Sequence, residues 1–372
     1  MRVLVTGANG FIGKNLLMRL QEKGGVQVIP FTREHSADSL ASLLEGVDWV
    51  FHLAGINRPQ NDEEFVTGNL GLTEQLCSAV KACGRVVPIV YTSSIQAEYE
   101  NEYGKSKRAA EDALLALKRE CNNPVFLYRL PNVFGKWARP NYNSVVATFC
   151  HNLARDLAIE IHNPSAVLNL VYVDDVVDSF IALLEGAESQ SDYVDVKTQY
   201  QITLQELADQ IDRFRHMRDH LITEPVGIGL VRALYSTYVS YLPPDRFTYS
   251  VQQHGDARGI FVEMLKTPDS GQFSFFTAYP GITRGGHYHH TKTEKFLVIK
   301  GKARFRFRHM LTGEFYELYT SEDKSEIVET VPGWTHDVTN VGDQELICML
   351  WANEIFDRER PDTFSCPIGS SE

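Results

Sequence analysis

The pattern of hydrophobic and polar positions changes near residue 245. Before that point, short apolar and β-branched runs alternate with stretches of helical spacing, beginning with a strand at Arg2–Thr6 and a helix at Phe11–Lys23. Strands that alternate with helices of this length predict βαβ units around a parallel sheet covered on both faces. The same alternation predicts strands at 26–31, 48–53, 86–93 and 125–130, and helices at 70–82, 103–119 and 201–220.

Beyond residues 242–248 the helical periodicity largely vanishes, and short strand candidates follow one another with turn residues between them. Many short strands at close intervals predict a sandwich or a small barrel. The sequence therefore predicts two domains of different class, an α/β domain at residues 1–245 and an all-β domain at 246–372. The strand candidates of the second domain are 259–266, 272–278, 295–300, 303–309, 315–320, 325–330 and 346–352.

Composition and charge exclude several classes of protein. Of the 372 residues, 43% are hydrophobic and 23% are charged, which is ordinary for a globular chain. The net charge of -12 repels a polyphosphate backbone, so we expect no nucleic-acid partner. We also expect no membrane span and no signal peptide. The six cysteines are scattered without a CxxC pair, which favours reduced thiols in a cytoplasmic protein.

A glycine-rich loop follows the first predicted strand and opens the first predicted helix. Glycines let the backbone approach a pyrophosphate, and the helix N-terminus supplies N–H donors, so this loop predicts a dinucleotide site; a purely structural turn is the alternative. Arg33 follows the second strand, where an arginine accommodates a 2′-phosphate and favours NADP(H), unless it is simply solvated. The cofactor-binding candidates are Gly7, Asn9, Gly10, Phe11, Ile12, Gly13 and Arg33.

Tyr103 and Lys107 form a YxxxK pattern. At this spacing on a helix the phenol and the ammonium share one face, and the lysine charge should favour the phenolate. A phenol tuned in this way can give or take a proton as a hydride moves. Ser94, or alternatively Ser93, ends the preceding strand and would hydrogen-bond the reacting carbonyl oxygen. A solvated helix face is the alternative interpretation of the pattern.

Five ordered motifs over residues 1–245 resemble the extended short-chain dehydrogenase/reductase family. They are the GxxGxxG loop, HLAG at 52–55, Asn69, RLPNVFG at 129–135 and YVDDV at 172–176. The resemblance implies a Rossmann-type doubly wound sheet and a cofactor that also contacts Leu53, Ala54, Gly55, Asn69, Tyr103 and Lys107. It further implies that the polar loop at 139–144 contacts a sugar nucleotide, although this loop could equally be a simple turn. The substrate candidates are Asn132, Arg139, Asn141 and Asn143.

A second cluster of chemical groups lies in the predicted all-β domain. His287 and His289 alternate along an extended segment, Glu294 follows on the next strand, and His336 comes after Pro332. Three imidazoles and one carboxylate suit zinc, and could also hold iron, nickel or manganese. Surface histidines on a barrel are the alternative. We expect alternation to turn the adjacent imidazole, that of residue 290, away from the ion.

The spacing of this cluster resembles the cupin family over about residues 250–372, which implies a jelly-roll barrel. One departure is that Pro332 is followed directly by Gly333, where the family usually has one residue between. Whether a metal would be catalytic or structural stays open, because that depends on whether a fourth position is left for water or substrate. Candidates for a base in this domain are His290, His309 and Asp337.

The order of a reductase followed by a cupin resembles the bifunctional reductases of capsular and O-antigen polysaccharide synthesis. The resemblance implies that the cupin domain epimerises C3 of a UDP-2-acetamido-2,6-dideoxy-4-hexulose. The reductase domain would then reduce the C4 ketone with NADPH, giving UDP-2-acetamido-2,6-dideoxy-L-talose on a route to UDP-N-acetyl-L-fucosamine. It also implies a homodimer.

Two rival functions remain at this point. A nucleotide-sugar 4-epimerase or 4,6-dehydratase shares the YxxxK pattern. Dehydratases of the family usually carry an Asp-Glu pair after the catalytic serine or threonine, whereas Ser94 is followed by Ile95 and Gln96. The other rival is a cupin that senses a ligand on an inactive reductase scaffold, which the complete Ser-Tyr-Lys set disfavours.

Overall fold

The computed structural model describes residues 1–189, 191–251, 253–256, 259–262, 265, 271–354 and 359–369. The chain divides into two compact units. The first comprises Met1–Ser144 with Leu168–Gln201, and the second comprises Val145–Val167 with Ile202–Glu372. The second unit therefore includes helices that precede residue 245, and the functional boundary at that residue stays a prediction.

The elements alternate between strand and helix in the first half of the chain and are mostly strands thereafter. The α-helices are α1 (Phe11–Lys23), α2 (Leu40–Leu43), α3 (Glu63–Phe65), α4 (Leu72–Cys83), α5 (Glu102–Cys121), α6 (Val145–Leu153), α7 (Val173–Leu184), α8 (Leu204–His220) and α9 (Gly229–Ser240). The strands are β1 (Arg2–Thr6), β2 (Gln27–Phe31), β3 (Trp49–His52), β4 (Ile89–Ser94), β5 (Val125–Leu130), β6 (Asn132–Phe134), β7 (Val167–Tyr172), β8 (Tyr200–Thr203), β9 (Thr248–Ser250), β10 (Gln253–Asp256), β11 (Gly259–Val262), β12 (Gln272–Ala278), β13 (Thr283–Tyr288), β14 (Glu294–Lys300), β15 (Lys302–His309), β16 (Phe315–Ser321), β17 (Glu326–Glu329), β18 (Trp334–Asn340), β19 (Leu346–Ala352) and β20 (Phe364–Ser365).

The first unit is built on a five-stranded parallel sheet in the order β2-β1-β3-β4-β5. Its strands are apolar on both faces, as burial between two helical layers requires. Leu76 of α4 and Leu114 of α5 are fully buried in a cluster with Leu4, Val50 and Leu127 of the sheet. The order reverses direction between β1 and β3, and ligands of such sheets bind beyond the carboxyl ends of the strands near that point.

The second unit contains two five-stranded antiparallel sheets, in the orders β12-β19-β14-β17-β9 and β16-β15-β18-β13-β20. Phe296 of the first sheet and Phe305 of the second are buried with ring centroids 5.5 Å apart, and Phe307 and Trp334 are buried as well. The paired sheets form a cupin-like β-domain. The predicted fold class, a Rossmann-type sheet followed by an all-β domain, is confirmed.

Several elements differ from the pattern-based expectation. The predicted helix at 201–220 begins only at Leu204, because Thr203 caps it in a reciprocal capping box with Glu206 and leaves β8 extended before it. β18 was not predicted as a strand, and the extended segment predicted at His287 and His289 is β13, which ends at Tyr288. β13 contains Gly285 and Gly286, both with positive φ, and its pairing with β18 shifts register there. The predicted strand 259–266 is described only as far as Val262, and residues 263, 264 and 266 lie outside the described residues.

Helices α8 and α9 contact the β-domain of the same unit through one buried carboxylate. Glu329 of β17 forms ion pairs with Lys295 of β14 and Arg218 of α8, and accepts a hydrogen bond of 3.0 Å from the Tyr235 hydroxyl of α9. Burial alone would raise the pKa of Glu329, but the two cations outweigh it and lower that pKa to about 2. Residues before 245 therefore share a charged core with the strands after it.

Two expectations about the whole chain can be compared with the described residues. No helix there has both the length and the apolar character that a membrane crossing requires. All six cysteines are unpaired.

We expect the Glu329→Gln substitution to lower the free energy of unfolding by about 3–5 kcal/mol, because it leaves Lys295 buried without its counter-charge. Urea unfolding followed by circular dichroism measures the change. Glu314→Gln, on an exposed turn, is the matched control and should change the free energy by less than about 0.5 kcal/mol. Equal stability of the two variants would show that the buried cluster does not stabilise the second unit.

Candidate functional site

The loop between β1 and α1 packs closely because it lacks side chains at two positions. Gly7 has a φ of +68°, and a Cβ there would lie 2.7 Å from the backbone nitrogen of Ala54. A Cβ on Gly13 would lie 2.2 Å from the carbonyl oxygen of Gly7. The loop is therefore a close-packed cradle at the N-terminus of α1, the arrangement that binds the phosphates of a dinucleotide.

A cavity of about 670 Å³ opens at the carboxyl ends of the first unit's strands. A second cavity of about 610 Å³ shares part of its wall and extends toward Arg33. Ala54 lines only the second cavity, and Asn69 and Asn141 line neither. The first cavity brings together most of the predicted cofactor, catalytic and substrate residues, namely Gly7, Asn9, Gly10, Phe11, Ile12, Gly13, Arg33, Leu53, Gly55, Ser94, Tyr103, Lys107, Asn132, Arg139 and Asn143.

The lining of the first cavity contains no carboxylate among the described residues. It contains four cationic side chains, those of Lys14, Arg33, Lys107 and Arg139. The whole chain carries a net charge of -12, so this wall is strongly enriched in positive charge. A phosphate-bearing ligand is the chemistry that such a cavity favours.

Arg33 is exposed and lines both cavities. The preceding residue, Thr32, donates its N–H to His35 Nδ1 over 3.1 Å, and the His35 ring lies 5.6 Å from that of Phe31, so the turn is held by its own contacts. The Arg33 guanidinium has no hydrogen bond or ion pair with the described part of the chain. Glu34 also lines the second cavity.

Asn69 lines neither cavity, but it holds the loop after β3 by hydrogen bonds. Its side chain is 1% exposed and bridges the backbone of Ile56, accepting from N–H over 2.9 Å and donating to C=O over 3.0 Å. It also donates to the Ser106 hydroxyl over 2.9 Å. Asn69 thereby joins the loop after β3 to the helix that carries Tyr103.

Tyr103 and Ser94 both line the cavity wall. Burial raises the pKa of Tyr103, and the nearby Ser94 hydroxyl only partly opposes that effect. The expectation that Lys107 favours the phenolate is not met, because Lys107 donates to the Tyr91 hydroxyl over 3.1 Å and to the Thr92 carbonyl over 2.8 Å. Burial lowers the pKa of Lys107 to about 8, although the nearby carboxylate at position 111 opposes the shift.

Ser93 has a different set of partners from Ser94. It is buried and donates its hydroxyl to Glu111, which also accepts from Arg129 Nη2 over 2.6 Å and from the Tyr193 hydroxyl over 3.2 Å. Ser94 instead accepts the N–H of residue 96 over 3.2 Å and meets Tyr103. Both serines line the cavity, but the Ser93 hydroxyl is engaged in a buried ion-pair network, whereas that of Ser94 is not.

The loop after β6 supplies one side of the cavity. Tyr142 lines it, and the guanidinium groups of Arg139 and Arg58 lie 5.1 Å and 5.5 Å from the Tyr142 ring centroid. Arg58 and Tyr142 were not among the predicted site residues, although Tyr142 lies within the loop 139–144. No local motif identifies Arg58, because it is distant from this loop in the sequence and only the folded chain brings the two together.

The four predicted metal ligands come together in the β-domain. One ligand atom from each of His287, His289, Glu294 and His336 lies within 4.8 Å of all the others. His287 of β13 and His336 of β18 are cross-strand partners, and Glu294 begins β14. β13 ends at Tyr288, so His289 lies one residue beyond the strand, and the ligands do not simply alternate along it.

The polar atoms of this cluster fit a bound cation. His336 is buried, and neither of its ring nitrogens has a hydrogen-bond partner among the described residues, although Nε2 lies 3.4 Å from Glu294 Oε2. His289 Nε2 lies 3.1 Å from the same oxygen, and its Nδ1 lies 2.6 Å from a backbone carbonyl oxygen. Burial and the charges of its neighbours lower the pKa of His287 to about 3, which leaves it neutral. Neutral imidazoles beside a carboxylate are the donor set of zinc sites.

The three candidate bases of the β-domain are not members of the ligand cluster. Asp337 is held by Arg306 through bonds of 3.0 and 2.7 Å. The Nδ1 atom of His309 accepts the N–H groups of residues 311 and 312. The ring of His290 packs against those of Tyr288 and residue 364, and no atom of it belongs to the ligand cluster.

Comparisons with known proteins agree with this two-part architecture. The model of the NAD dependent epimerase/dehydratase family matches residues 3–197, and that of the polysaccharide biosynthesis C-terminal domain matches residues 254–364. A Pseudomonas aeruginosa protein named UDP-2-acetamido-2,6-beta-L-arabino-hexul-4-ose reductase is 62% identical over 369 residues, which cover 99% of both chains.

Solved structures show the same relationship. The crystal structure of the capsular polysaccharide assembling protein CapF from Staphylococcus aureus is 40% identical, with a TM-score of 0.69, and covers 99% of this chain and 100% of that one. A Bacillus cereus UDP-glucuronic acid 4-epimerase is 20% identical, with a TM-score of 0.52, and the match covers 57% of this chain and 82% of that one. This likeness shows that the matched part of the chain has the same fold. The chain therefore belongs to the NAD dependent epimerase/dehydratase family and carries a polysaccharide biosynthesis C-terminal domain.

Proposed function

We propose that the first unit reduces the C4 ketone of a UDP-4-keto-hexulose with NADPH, as a step of polysaccharide biosynthesis. The observation that carries this proposal is that Ser94, Tyr103 and Lys107 line one cationic cavity whose described lining residues include no carboxylate. The name of the 62% identical relative, a UDP-hexulose reductase, supports the substrate class. The UDP-2-acetamido-2,6-dideoxy-4-hexulose substrate and the L-talose product are the finer form of the proposal.

The residues divide the task of binding and reducing. NADPH, when bound, supplies the hydride. The glycine cradle and the N-terminus of α1 receive its pyrophosphate, and Arg33 receives its 2′-phosphate. The raised pKa of Tyr103 keeps the phenol protonated, so it can donate to the C4 oxygen as charge develops there, while Ser94 hydrogen-bonds the same oxygen.

Lys107 has a supporting part in this proposal. Two of its three N–H donors are used by Tyr91 and Thr92 within the protein, which leaves one for a bound ligand. Its charge adds to those of Arg33 and Arg139 around an anionic nucleotide and sugar nucleotide.

Dehydration fits the cavity less well. A dehydratase needs an acid and a base beside its substrate, and the described lining residues provide no carboxylate next to Ser94. The side chain that follows Ser94 into the cavity is that of Gln96.

For the β-domain we propose C3 epimerisation of the same sugar, supported by the unpartnered, buried nitrogens of His336. His287, His289, Glu294 and His336 would hold a divalent cation, with zinc favoured by the donor set. Such an ion can polarise a ketone oxygen, which acidifies the hydrogen on the neighbouring carbon. Homodimerisation stays a prediction from the resemblance, and a cytoplasmic location stays a prediction from the scattered cysteines.

Tyr103→Phe should lower kcat for NADPH oxidation with a UDP-4-keto-hexulose by about 10²-fold or more, because it removes the proton donor and leaves the cavity intact. The fall in NADPH absorbance measures turnover. Tyr99→Phe, which removes the same hydroxyl from an exposed neighbour, should retain normal turnover. Equal rates for the two variants would refute the assignment of Tyr103.

Arg33→Ala should weaken NADPH binding by about 1–3 kcal/mol, roughly 5- to 150-fold, because a charge-assisted contact to the 2′-phosphate is lost. NADH lacks that phosphate, so its affinity should change little. Titration calorimetry with both cofactors gives the comparison, with Arg119→Ala, at the far end of α5, as the control. Parallel losses for NADH and NADPH would show that Arg33 does not contact the 2′-phosphate.

His289→Ala should lose bound zinc and, in D2O without NADPH, should no longer place deuterium at C3 of the 4-keto sugar. Its affinity for NADPH should be unchanged, because the nucleotide residues lie in the first unit. Elemental analysis measures the bound zinc, and NMR measures the deuterium at C3. The control is His162→Ala, which changes an exposed histidine of the second unit, the unit that also contains His289. Normal exchange at C3 by His289→Ala would remove the epimerase role from the β-domain.

A further inference from the structure

The C-terminal segment runs along the strand that carries the first candidate metal ligand. β20 pairs with β13, with Phe364 opposite Tyr288 and Ser365 opposite His287. Cys366 then donates its N–H to the Gly286 carbonyl over 2.7 Å. The segment is thus part of the wall of the ligand cluster, although it contributes no ligand to it.

One residue of this segment, Asp362, holds the turn between two ligands. Its carboxylate accepts three successive backbone N–H groups, from His290 over 2.9 Å, from Thr291 over 2.8 Å and from Lys292 over 2.7 Å. The Thr291 hydroxyl adds a fourth hydrogen bond of 3.0 Å. His289 lies immediately before this turn and Glu294 shortly after it, so the carboxylate fixes the path of the chain from one ligand to the other.

The backbone of Asp362 acts on His289 directly. His289 Nδ1 lies 2.6 Å from the Asp362 carbonyl oxygen. A carbonyl oxygen can only accept, so Nδ1 must carry a proton, and Nε2 is the nitrogen left to bind an ion. That Nε2 is the atom that faces Glu294 Oε2 at 3.1 Å. Partners of this kind orient a ligating imidazole and set its tautomer in metal sites.

The conformation of Asp362 is unusual and is maintained by these contacts. Its φ is +37°, in the left-handed region that residues other than glycine enter rarely. Such conformations persist where the surroundings determine them, and they cluster at functional sites. The three N–H groups and one hydroxyl that donate to the Asp362 carboxylate favour its charged form.

We propose that Asp362 is a positioning residue of the metal centre, which sets the tautomer of His289 and the spacing of His289 from Glu294. This proposal rests on the proposed metal site and extends it, because Asp362 lies outside the His-His-Glu-His motif. A residue in this role should affect how tightly and in what geometry the ion is bound, with little effect on the fold of the domain.

The test compares metal binding by Asp362→Ala, Asp362→Asn and the control Asp343→Ala, in the full chain. Asp343 lies on the exposed turn between β18 and β19 and has no hydrogen bond or ion pair with the described residues. Competition with a chromogenic chelator gives the zinc affinity, and the absorption spectrum of the cobalt-substituted protein reports the ligand geometry. Circular dichroism and urea unfolding of the metal-free proteins measure the fold separately.

We expect Asp362→Ala to bind zinc about 10- to 100-fold more weakly than the wild type, with a shifted cobalt spectrum and native circular dichroism. Asp362→Asn should give a smaller loss in the same direction, because its amide keeps one acceptor oxygen, and it decides the matter if Asp362→Ala does not fold. Asp343→Ala should match the wild type.

Two results would overturn the proposal. One is unchanged zinc affinity and an unchanged cobalt spectrum in Asp362→Asn and in any folded Asp362→Ala. The other is a loss of affinity that accompanies an equal loss of native circular dichroism in both variants, since Asp362 would then support the fold. A wild-type protein that binds neither zinc nor cobalt would instead refute the metal site itself, and with it the basis of the proposal.

Discussion

A carboxylate that is removed from water must be met by cations or hydrogen-bond donors, and this requirement shapes both candidate sites. In the first unit Glu111 is buried behind β4, where Arg129, Ser93 and Tyr193 satisfy it. The Ser93 hydroxyl is engaged by this carboxylate, whereas the Ser94 hydroxyl is not. Glu111 does not line the first cavity, whose described lining residues include cations and no carboxylate.

The second unit contains two buried carboxylates, those of Glu329 and Glu294, and their partners differ. Glu329 is neutralised by Lys295 and Arg218 from different elements, and this joins helices α8 and α9 to the sheets. Glu294 meets only imidazoles and a lysine, and burial acts against its charge. An oxygen that has two imidazole nitrogens within 3.4 Å, one of them without a hydrogen bond, is suited to share a cation with them. Glu329 therefore has a structural role, whereas the carboxylate of Glu294 is suited to bind a cation.

The sequence predicted the parts of the sites that depend on local spacing. The glycine loop, the YxxxK pattern and the His-His-Glu-His set are each defined by close intervals or by a strand end, and the fold brings their members together. Long-range partners were beyond such patterns. Lys107 turns to Tyr91 on another element, and Asp362 contacts a turn that lies 72 residues earlier in the chain. No spacing rule specifies contacts of that kind, because they depend on how the sheets close.

We propose that one chain carries out two reactions on one sugar, with the hydrogen at C4 coming from NADPH and the hydrogen at C3 coming from water. The NMR spectrum of the product formed in D2O from the 4-keto UDP-sugar and unlabelled NADPH tests both reactions together. We expect deuterium at C3 and ordinary hydrogen at C4. Ordinary hydrogen at C3 would contradict epimerisation through solvent exchange, and deuterium at C4 would contradict hydride delivery from NADPH.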